Sequence, residues 1–284
     1  MSQDQDSHAW YSHGKALHEL GRYEWAITRY DKVLEMHPNS YDAWSFRGYA
    51  LAHLGRHEEA IDSFNEAIGI SPKIPLAWHG KALSLGNLGR YDEAVVTFDR
   101  VLKFTPDDYK VWYNRGSALM RLNRYKEAID SFNKTVEHKP DNYRAWYHRG
   151  MALSALDRNE EAINSFDTAV VVKHSCYYAW NYRGIVLFKI YRYEEALKSF
   201  DQCLAIRPNH PGAWYGKARS YALMDDIGLA VSCLKQAINL SPNLYRTMAK
   251  IDANFNCLHQ DTRFQALLQE RIQEVTGSET TRLQ

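Results

Sequence analysis

Three groups of residues in this sequence have types and spacings that suggest chemistry: basic residues, a histidine pair and cysteines. His53 and His57 lie close together but straddle a predicted turn at Gly55, which argues against a shared metal site. The cysteines form no CxxC pair and therefore indicate unpaired thiols in a reducing compartment. They are Cys176, Cys203, Cys233 and Cys257. No phosphate loop, nucleophile elbow or HExxH sequence occurs, so we expect neither an enzyme nor a bound cofactor or metal.

A column of basic residues recurs at a constant interval: His13, Arg47, Lys81, Arg115, Arg149, Arg183 and Lys217. This column suggests a cationic stripe for acidic peptides, and that alternative stays open. A structural role is favoured, however, because an aspartate or asparagine precedes each lysine or arginine by a constant spacing. The pairs are Asp31–Arg47, Asn65–Lys81, Asp99–Arg115, Asn133–Arg149, Asp167–Arg183 and Asp201–Lys217. Where the basic position becomes Ile251, the partner position becomes Lys235, which indicates hydrogen-bonded pairs between adjacent structural units.

The tryptophans share this interval of 34 residues: Trp10, Trp44, Trp78, Trp112, Trp146, Trp180 and Trp214. A fixed period between about 20 and 50 residues indicates a repeat array. Within each period the apolar residues predict two amphipathic helices joined by a tight turn, and a proline ends the second helix in most repeats. Gly21, Gly55 and Gly89 in the turns suit a helix end with left-handed backbone.

Small residues at two positions of the repeat predict close helix packing. In the fourth repeat these are Gly116 in the first helix and Ala128 in the second, and the large residue opposite them is Phe132. A bulky side chain at either small position would push the paired helices apart.

These offsets of tryptophan, glycine or alanine, alanine, aromatic residue and proline resemble the tetratricopeptide repeat family. The resemblance implies an all-α fold, a right-handed superhelical solenoid of antiparallel helix pairs that recognises other proteins. Two departures are the basic column, where that family commonly has leucine, and His174, which replaces the proline of the fifth repeat.

The repeat boundaries define the expected domain organisation. The seven repeats are 7–40, 41–74, 75–108, 109–142, 143–176, 177–210 and 211–244. Residues 1–6 are expected to form a disordered tail and residues 276–284 a flexible one. Between them, residues 245–275 are expected to form two capping helices, 245–258 and 262–275, with Asp261 as a cap.

The resemblance also implies that the first helices line a concave groove that binds partners. The predicted partner-binding residues are Lys110, Tyr113, Asn114, Arg144, Tyr147, His148, Met151, Tyr178, Tyr182, Ile185, Phe188 and Lys189. Lys110, Arg144, His148 and Lys189 would select an acidic segment. Some family members bind the C-terminal carboxylate of a peptide with a clamp of polar residues. Asn114, Arg144 and His148 match part of this clamp, but His79 and Leu83 differ from it.

The first helix of the sixth repeat, YYAWNYRGIVLFKIY, is apolar nearly all round. Tyr178, Tyr182, Ile185 and Phe188 are therefore expected to form an exposed apolar patch, unless the C-terminal helices cover it. Exposed patches of this kind mark partner surfaces, and tyrosine is common among the residues that dominate binding.

Composition narrows the function classes further. The 35 basic and 34 acidic residues give a formal net charge of +1, which argues against nonspecific binding to nucleic acid. No apolar run is long enough to cross a membrane, and the start lacks the basic and apolar parts of a secretory signal, so we expect a cytoplasmic protein. The sequence favours a protein or peptide-binding scaffold. Self-association into an assembly and RNA recognition by helical repeats are the alternatives.

Overall fold

A computed structural model of the chain describes residues 3–269, and every element within that range is a helix. The chain divides between Leu156 and Asp157 into two compact units. The helices of the first unit are α1 (Gln3–Glu19), α2 (Tyr23–Met36), α3 (Tyr41–His53), α4 (His57–Ile70), α5 (Pro75–Asn87), α6 (Tyr91–Leu102), α7 (Tyr109–Arg121), α8 (Tyr125–His138) and α9 (Tyr143–Ala155). Those of the second are α10 (Asn159–Val172), α11 (Tyr177–Lys189), α12 (Tyr193–Ile206), α13 (Pro211–Leu223), α14 (Ile227–Leu240), α15 (Pro242–Ile251) and α16 (Thr262–Gln269).

Consecutive helices within each unit pack as pairs, as the repeat pattern predicts. Phe132 and Ala128 of α8 are fully buried, and a Cβ atom added to Gly116 of α7 would lie only 2.8 Å from the Phe132 ring. The glycine therefore allows α7 and α8 to approach closely, and the all-α fold of stacked helix pairs is confirmed.

A hydrogen bond explains why the tryptophan of each repeat follows the preceding proline at a constant spacing. The Trp112 indole nitrogen donates to the Pro106 carbonyl oxygen at 2.7 Å. The same bond recurs at Trp44, Trp78, Trp146 and Trp214 with distances of 2.8, 2.8, 2.8 and 2.9 Å. In the fifth repeat, where His174 replaces the proline, the His174 carbonyl accepts from the Trp180 indole at 3.2 Å. This hydrogen bond therefore does not require proline.

The turn between the two helices of a repeat uses left-handed backbone in all seven repeats. The predicted glycines at 21, 55 and 89 have φ angles of 71, 77 and 78°. The equivalent residues of the other repeats are Asn123, Asp157, Tyr191 and Asp225, with φ angles of 57, 60, 65 and 61°. Left-handed backbone costs a residue with a Cβ atom roughly 1–2 kcal/mol, and asparagine or aspartate tolerates it better than tyrosine does.

Both predicted ends need correction. Helix α1 begins at Gln3, so residues 3–6 are helical, while residues 1 and 2 lie outside the described residues. The helix predicted for 245–258 is α15, which ends at Ile251 and is followed by a 3₁₀ helix over Ala253–Leu258. The break lies at Asp252, whose carboxylate accepts from the Asn254 amide at 3.0 Å. Asp261 accepts from the Phe264 amide at 3.2 Å, as predicted for a cap of α16. Residues 270–284 lie outside the described residues.

Candidate functional site

The basic column forms pairs with the residues predicted as its partners. The contacts Arg47–Asp31, Lys81–Asn65, Arg115–Asp99, Arg149–Asn133, Arg183–Asp167 and Lys217–Asp201 measure 2.7, 2.7, 2.6, 2.7, 2.5 and 2.6 Å. Arg115 also donates to the Ser131 hydroxyl at 2.7 Å, and Arg47 and Arg183 make the same bond to Ser63 and Ser199. Each cation therefore joins two neighbouring repeats. The structural interpretation is confirmed.

The first helices form the inner side of the first unit. Helices α3, α5, α7 and α9 each contact the first helix of the preceding repeat, whereas the second helices of neighbouring repeats lie further apart. Helices α5, α7 and α9 contain no aspartate or glutamate. Their basic residues outside the paired column are Lys110, Arg121 and Arg144. Lys110 and Arg121 make no ion pair among the described residues, and the Arg144 Nε lies 3.3 Å from the Tyr143 hydroxyl.

Two cavities open on this inner side, one on each flank of α5. The first, of about 340 Å³, is lined by α5, α6 and α7. Its residues include Gly86, Asn114, Ser117 and Arg121. The second, of about 220 Å³, lies between α3 and α5. Tyr49, Ala52 and Leu83 give it apolar surface, and His53 and Ser84 also line it. Leu83 and Asn87 line both cavities and form the boundary between them.

A further cavity of about 410 Å³ lies by the Trp78 side chain, between α5 and α6. Its cations are already engaged, because Lys81 bonds to Asn65 and the Arg100 guanidinium lies 5.0 Å from the centre of the Trp78 ring. This cavity lies within the third repeat, and its engaged cations make it a weaker candidate than the two on the inner side.

The aromatic residues predicted in the first unit pack on one another around His148. The His148 ring lies 5.8 Å from Phe132, nearly parallel to it, and 5.8 and 5.0 Å from Tyr113 and Tyr147. Burial, and then the charges of Arg144 and Arg121, lower the pKa of His148 to about 4. His148 is therefore neutral at neutral pH, so its predicted role as a cation that selects acidic segments is wrong.

The predicted patch of the sixth repeat is only partly open. Ile185 is 43% exposed, but the Arg219 guanidinium of α13 covers Phe188 at 4.2 Å from the ring centre. Tyr182 and Tyr178 are half-buried, with Tyr182 packed near Phe166 and Tyr178 near Tyr177 at ring distances of 6.3 and 5.4 Å. Of the four residues expected to form an exposed patch, Ile185 is exposed, whereas Tyr178, Tyr182 and Phe188 are half-buried. Phe188 is half-buried because Arg219 of the following repeat lies over its ring.

The other predicted residues divide between engaged and accessible. Lys189 forms an ion pair with Asp157, which offsets its charge. Met151 is half-buried on α9, and Lys110 and Arg144 are exposed. Of the whole predicted set, Asn114 is the residue that lines one of the two inner cavities.

Sequence reasoning missed the residues of α5 that shape these cavities, namely Leu83, Gly86 and Asn87. A signal was present in the sequence. Gly86 stands where the next repeats carry Met120, Ser154 and Phe188, so a side chain is missing at this position. A Cβ atom added to Gly86 would meet nothing within 4 Å.

Comparison with family profiles decides the family. Tetratricopeptide repeat profiles match residues 9–75 and 79–143, 177–210, and 143–170 and 211–244. The chain belongs to the tetratricopeptide repeat family. A profile for the protein prenyltransferase alpha subunit repeat also matches residues 159–190 of this tetratricopeptide repeat protein. A comparison with curated proteins gives no match.

Solved structures of tetratricopeptide repeat proteins share the fold. A repeat protein from Cytophaga hutchinsonii is 14% identical, with a TM-score of 0.72 over 85% of this chain and 99% of that one. YrrB, described as having an unusual peptide-binding site, is 24% identical, with a TM-score of 0.58 over 67% of this chain and 98% of its own. MamA from Desulfovibrio magneticus is 23% identical, with a TM-score of 0.57 over 60% and 96%.

Neither a metal-binding cluster nor a membrane-spanning helix occurs in the described part of this tetratricopeptide repeat protein. Among residues 3–269, no cluster of three or more histidine, cysteine, aspartate or glutamate residues could hold a metal ion. No helix in that range combines the length and apolar character needed to cross a membrane. Burial raises the pKa of the Cys203 thiol to about 12 and that of Cys233 to about 11, as suits cysteines that pack in the core.

Proposed function

We propose that this protein is a scaffold that binds an acidic, extended segment of another protein along the first helices of its first unit. The observation that carries the proposal is the separation of charge. Helices α5, α7 and α9 hold no carboxylate, yet they carry Lys110, Arg121 and Arg144 in addition to the cations paired between repeats. The net charge of +1 for the whole chain hides this local excess.

The polar groups on the inner side suit recognition of a peptide backbone. Asn87 and Asn114 line the 340 Å³ cavity, and their amides make no side-chain hydrogen bond among the described residues. An amide can donate to a carbonyl and accept from an N–H group, which is what an extended segment presents. Arg121 in the same cavity can form two parallel hydrogen bonds with a carboxylate.

The predicted site residues enter the proposal in two roles. Lys110, Asn114 and Arg144 lie on the carboxylate-free helices and supply charge and hydrogen bonds. Tyr113, Tyr147, His148 and Met151 form the packed support beneath them. In the second unit Tyr178, Tyr182, Ile185, Phe188 and Lys189 are proposed as a weaker extension, because Arg219 and Asp157 already engage two of them.

Protein recognition is favoured over RNA recognition by the aromatic residues. Binding of single-stranded nucleic acid relies on exposed rings on which bases stack. The rings of Tyr113, Tyr147 and His148 instead pack against one another. A basic inner side with its aromatic rings already engaged suits carboxylates better than bases.

Selection from a random peptide display library tests the proposal. The wild-type chain should enrich peptides rich in aspartate and glutamate, and a Lys110→Glu, Arg121→Glu, Arg144→Glu variant should lose that enrichment. Selected peptides without an acidic bias would contradict the proposal. Displacement of the selected peptides by an RNA oligonucleotide at low concentration would favour the RNA alternative instead.

A further inference from the structure

The two inner cavities of the first unit form a pair whose separation specifies the spacing of ligand side chains. One lies between α3 and α5, and the other lies on the opposite flank of α5. Both pairs of first helices are in contact, and the axes of packed helices lie about 8–10 Å apart. Because each cavity lies between neighbouring helices, the two centres are separated by about one such interval.

Among extended backbone conformations, few place two side chains on one side of a segment at this separation. In a β-strand, residues two apart share a side but are only about 6.6 Å apart, and residues three apart face opposite sides. A polyproline II segment has three residues per turn and a rise of about 3.1 Å per residue. Residues three apart then share a side and lie about 9 Å apart, which matches the interval between the cavities.

The linings of the cavities differ in chemistry. The 220 Å³ cavity is mainly apolar, with walls from Tyr49, Ala52 and Leu83, although His53 and Ser84 also line it. The Tyr49 hydroxyl is already bonded to the Leu76 carbonyl at 2.9 Å. Asn114 and Arg121 give the 340 Å³ cavity polar and cationic walls. An apolar side chain therefore fits the smaller cavity and a carboxylate fits the larger one.

Between the cavities, the ligand backbone must cross Asn87, which lines both of them. A polyproline II segment has no internal hydrogen bonds, so its carbonyl groups are free to accept from the Asn87 amide. No protein group among the described residues bonds to this amide.

We infer that the protein recognises a polyproline II segment in which an apolar residue and an acidic residue are three positions apart. This inference rests on the proposed function, since it specifies which acidic segments the inner side accepts. The apolar residue occupies the cavity at Tyr49 and Leu83, and the carboxylate occupies the cavity at Asn114 and Arg121.

Synthetic peptides of fixed composition test the spacing. One places leucine and glutamate three apart in a proline background, with the core Leu-Pro-Pro-Glu. Its isomers place them two or four apart, and a fourth peptide replaces glutamate with glutamine. Backbone amide chemical shifts of the full chain report binding and its location. The three-apart peptide should bind roughly tenfold more tightly than either isomer and should shift the signals of Gly80, Gly86 and Asn87.

Gly86→Met, with Gly69→Met as its matched control, tests the location. Both glycines lie in helices, and a Cβ atom at either position meets nothing within 4 Å, so both variants should fold. Methionine at position 86 fills the 340 Å³ cavity, whereas Gly69 lies on α4 outside both cavities. Gly86→Met should weaken binding of the three-apart peptide roughly tenfold, and Gly69→Met should leave it unchanged.

The outcomes separate this inference from the proposed function. Equal binding of all glutamate peptides, or binding that Gly86→Met does not change, would overturn the spacing and leave the acidic preference standing. Equal binding of the glutamine peptide would overturn both. Absence of binding by every peptide at millimolar concentration would overturn the inference, and the display selection would then decide whether the acidic preference stands.

Discussion

The His148 side chain shows how a single residue can lose the chemistry that its type suggests. Its ring is enclosed by Phe132, Tyr113 and Tyr147, and two arginines lie near enough to disfavour a positive charge. Burial and these charges act in the same direction on its pKa, which falls to about 4. The residue therefore packs as a neutral aromatic ring.

This environment predicts a pH dependence of stability. The unfolded chain protonates His148 near pH 6.5, whereas the folded chain resists protonation until about pH 4. The stability that depends on the neutral ring is fully present above about pH 6.5 and is lost as the pH falls towards about 4. The loss should be on the order of 2–3 kcal/mol in the free energy of unfolding, measured by urea denaturation.

His148→Tyr is the control for this prediction, because Tyr182 occupies the equivalent repeat position. The His148→Tyr variant should lose the part of the pH dependence of stability that comes from protonation of His148. An unchanged slope of unfolding free energy against pH would show that His148 is not held neutral.

At the scale of helices and their contacts, the pairs between repeats matter most for stability. The Arg115 side chain is 15% exposed and bonds to both Asp99 and Ser131. Arg115→Met leaves these two partners without their donor, and we expect a loss of about 1–2 kcal/mol in urea denaturation.

Arg124→Met is the matched control. Arg124 pairs with Glu127 at 2.7 Å, but its side chain is 41% exposed, so its removal should cost only about 0.5 kcal/mol. Equal losses in the two variants would contradict the distinction between the paired column and ordinary surface ion pairs.

The turn before α12 carries strain that substitution can relieve. Tyr191 has a φ of 65° and is 79% exposed, so its ring gains little from burial. Tyr191→Gly should raise the free energy of unfolding by about 0.5–1 kcal/mol in urea denaturation, because glycine tolerates left-handed backbone. Asp225→Gly, at the same turn position of the next repeat, should gain less. A loss of stability in Tyr191→Gly would show that the ring makes a contact that outweighs the strain.

The periodicity of the sequence predicted the helices and their pairing well, because each repeat position occurs seven times in the chain. The partner of Arg115 was evident because the position equivalent to Asp99 holds aspartate or asparagine in the other repeats, for example Asn65 and Asn133. The 340 Å³ cavity was not evident, because it arises where Gly86 lacks a side chain and depends on which residues the neighbouring helices place around that glycine. The cover of Phe188 was missed for a similar reason, since it comes from Arg219 in another repeat.

At the scale of the whole molecule, repetition separates the charges. Carboxylates are excluded from five consecutive first helices, namely α5, α7, α9, α11 and α13, while the second helices and turns carry most of them. Within these helices, three cations of the paired column face aspartates of the second helices, whereas Lys81 and Arg149 face uncharged asparagines. Outside the column, Lys189 and Arg219 pair with Asp157 and Asp252, whereas Lys110 and Arg121 make no ion pair among the described residues. The attraction of such exposed cations for a ligand weakens with salt.

The most direct test of this account is fluorescence anisotropy with the labelled Leu-Pro-Pro-Glu peptide and two variants of equal charge. The first is Lys110→Glu, Arg121→Glu, Arg144→Glu. The second is Lys73→Glu, Lys103→Glu, Lys126→Glu, three exposed lysines outside the first helices with no ion pair among the described residues. We predict that the control binds like wild type and that the first variant binds at least roughly tenfold more weakly. Equal binding by all three proteins would contradict the assignment of the ligand to the first helices.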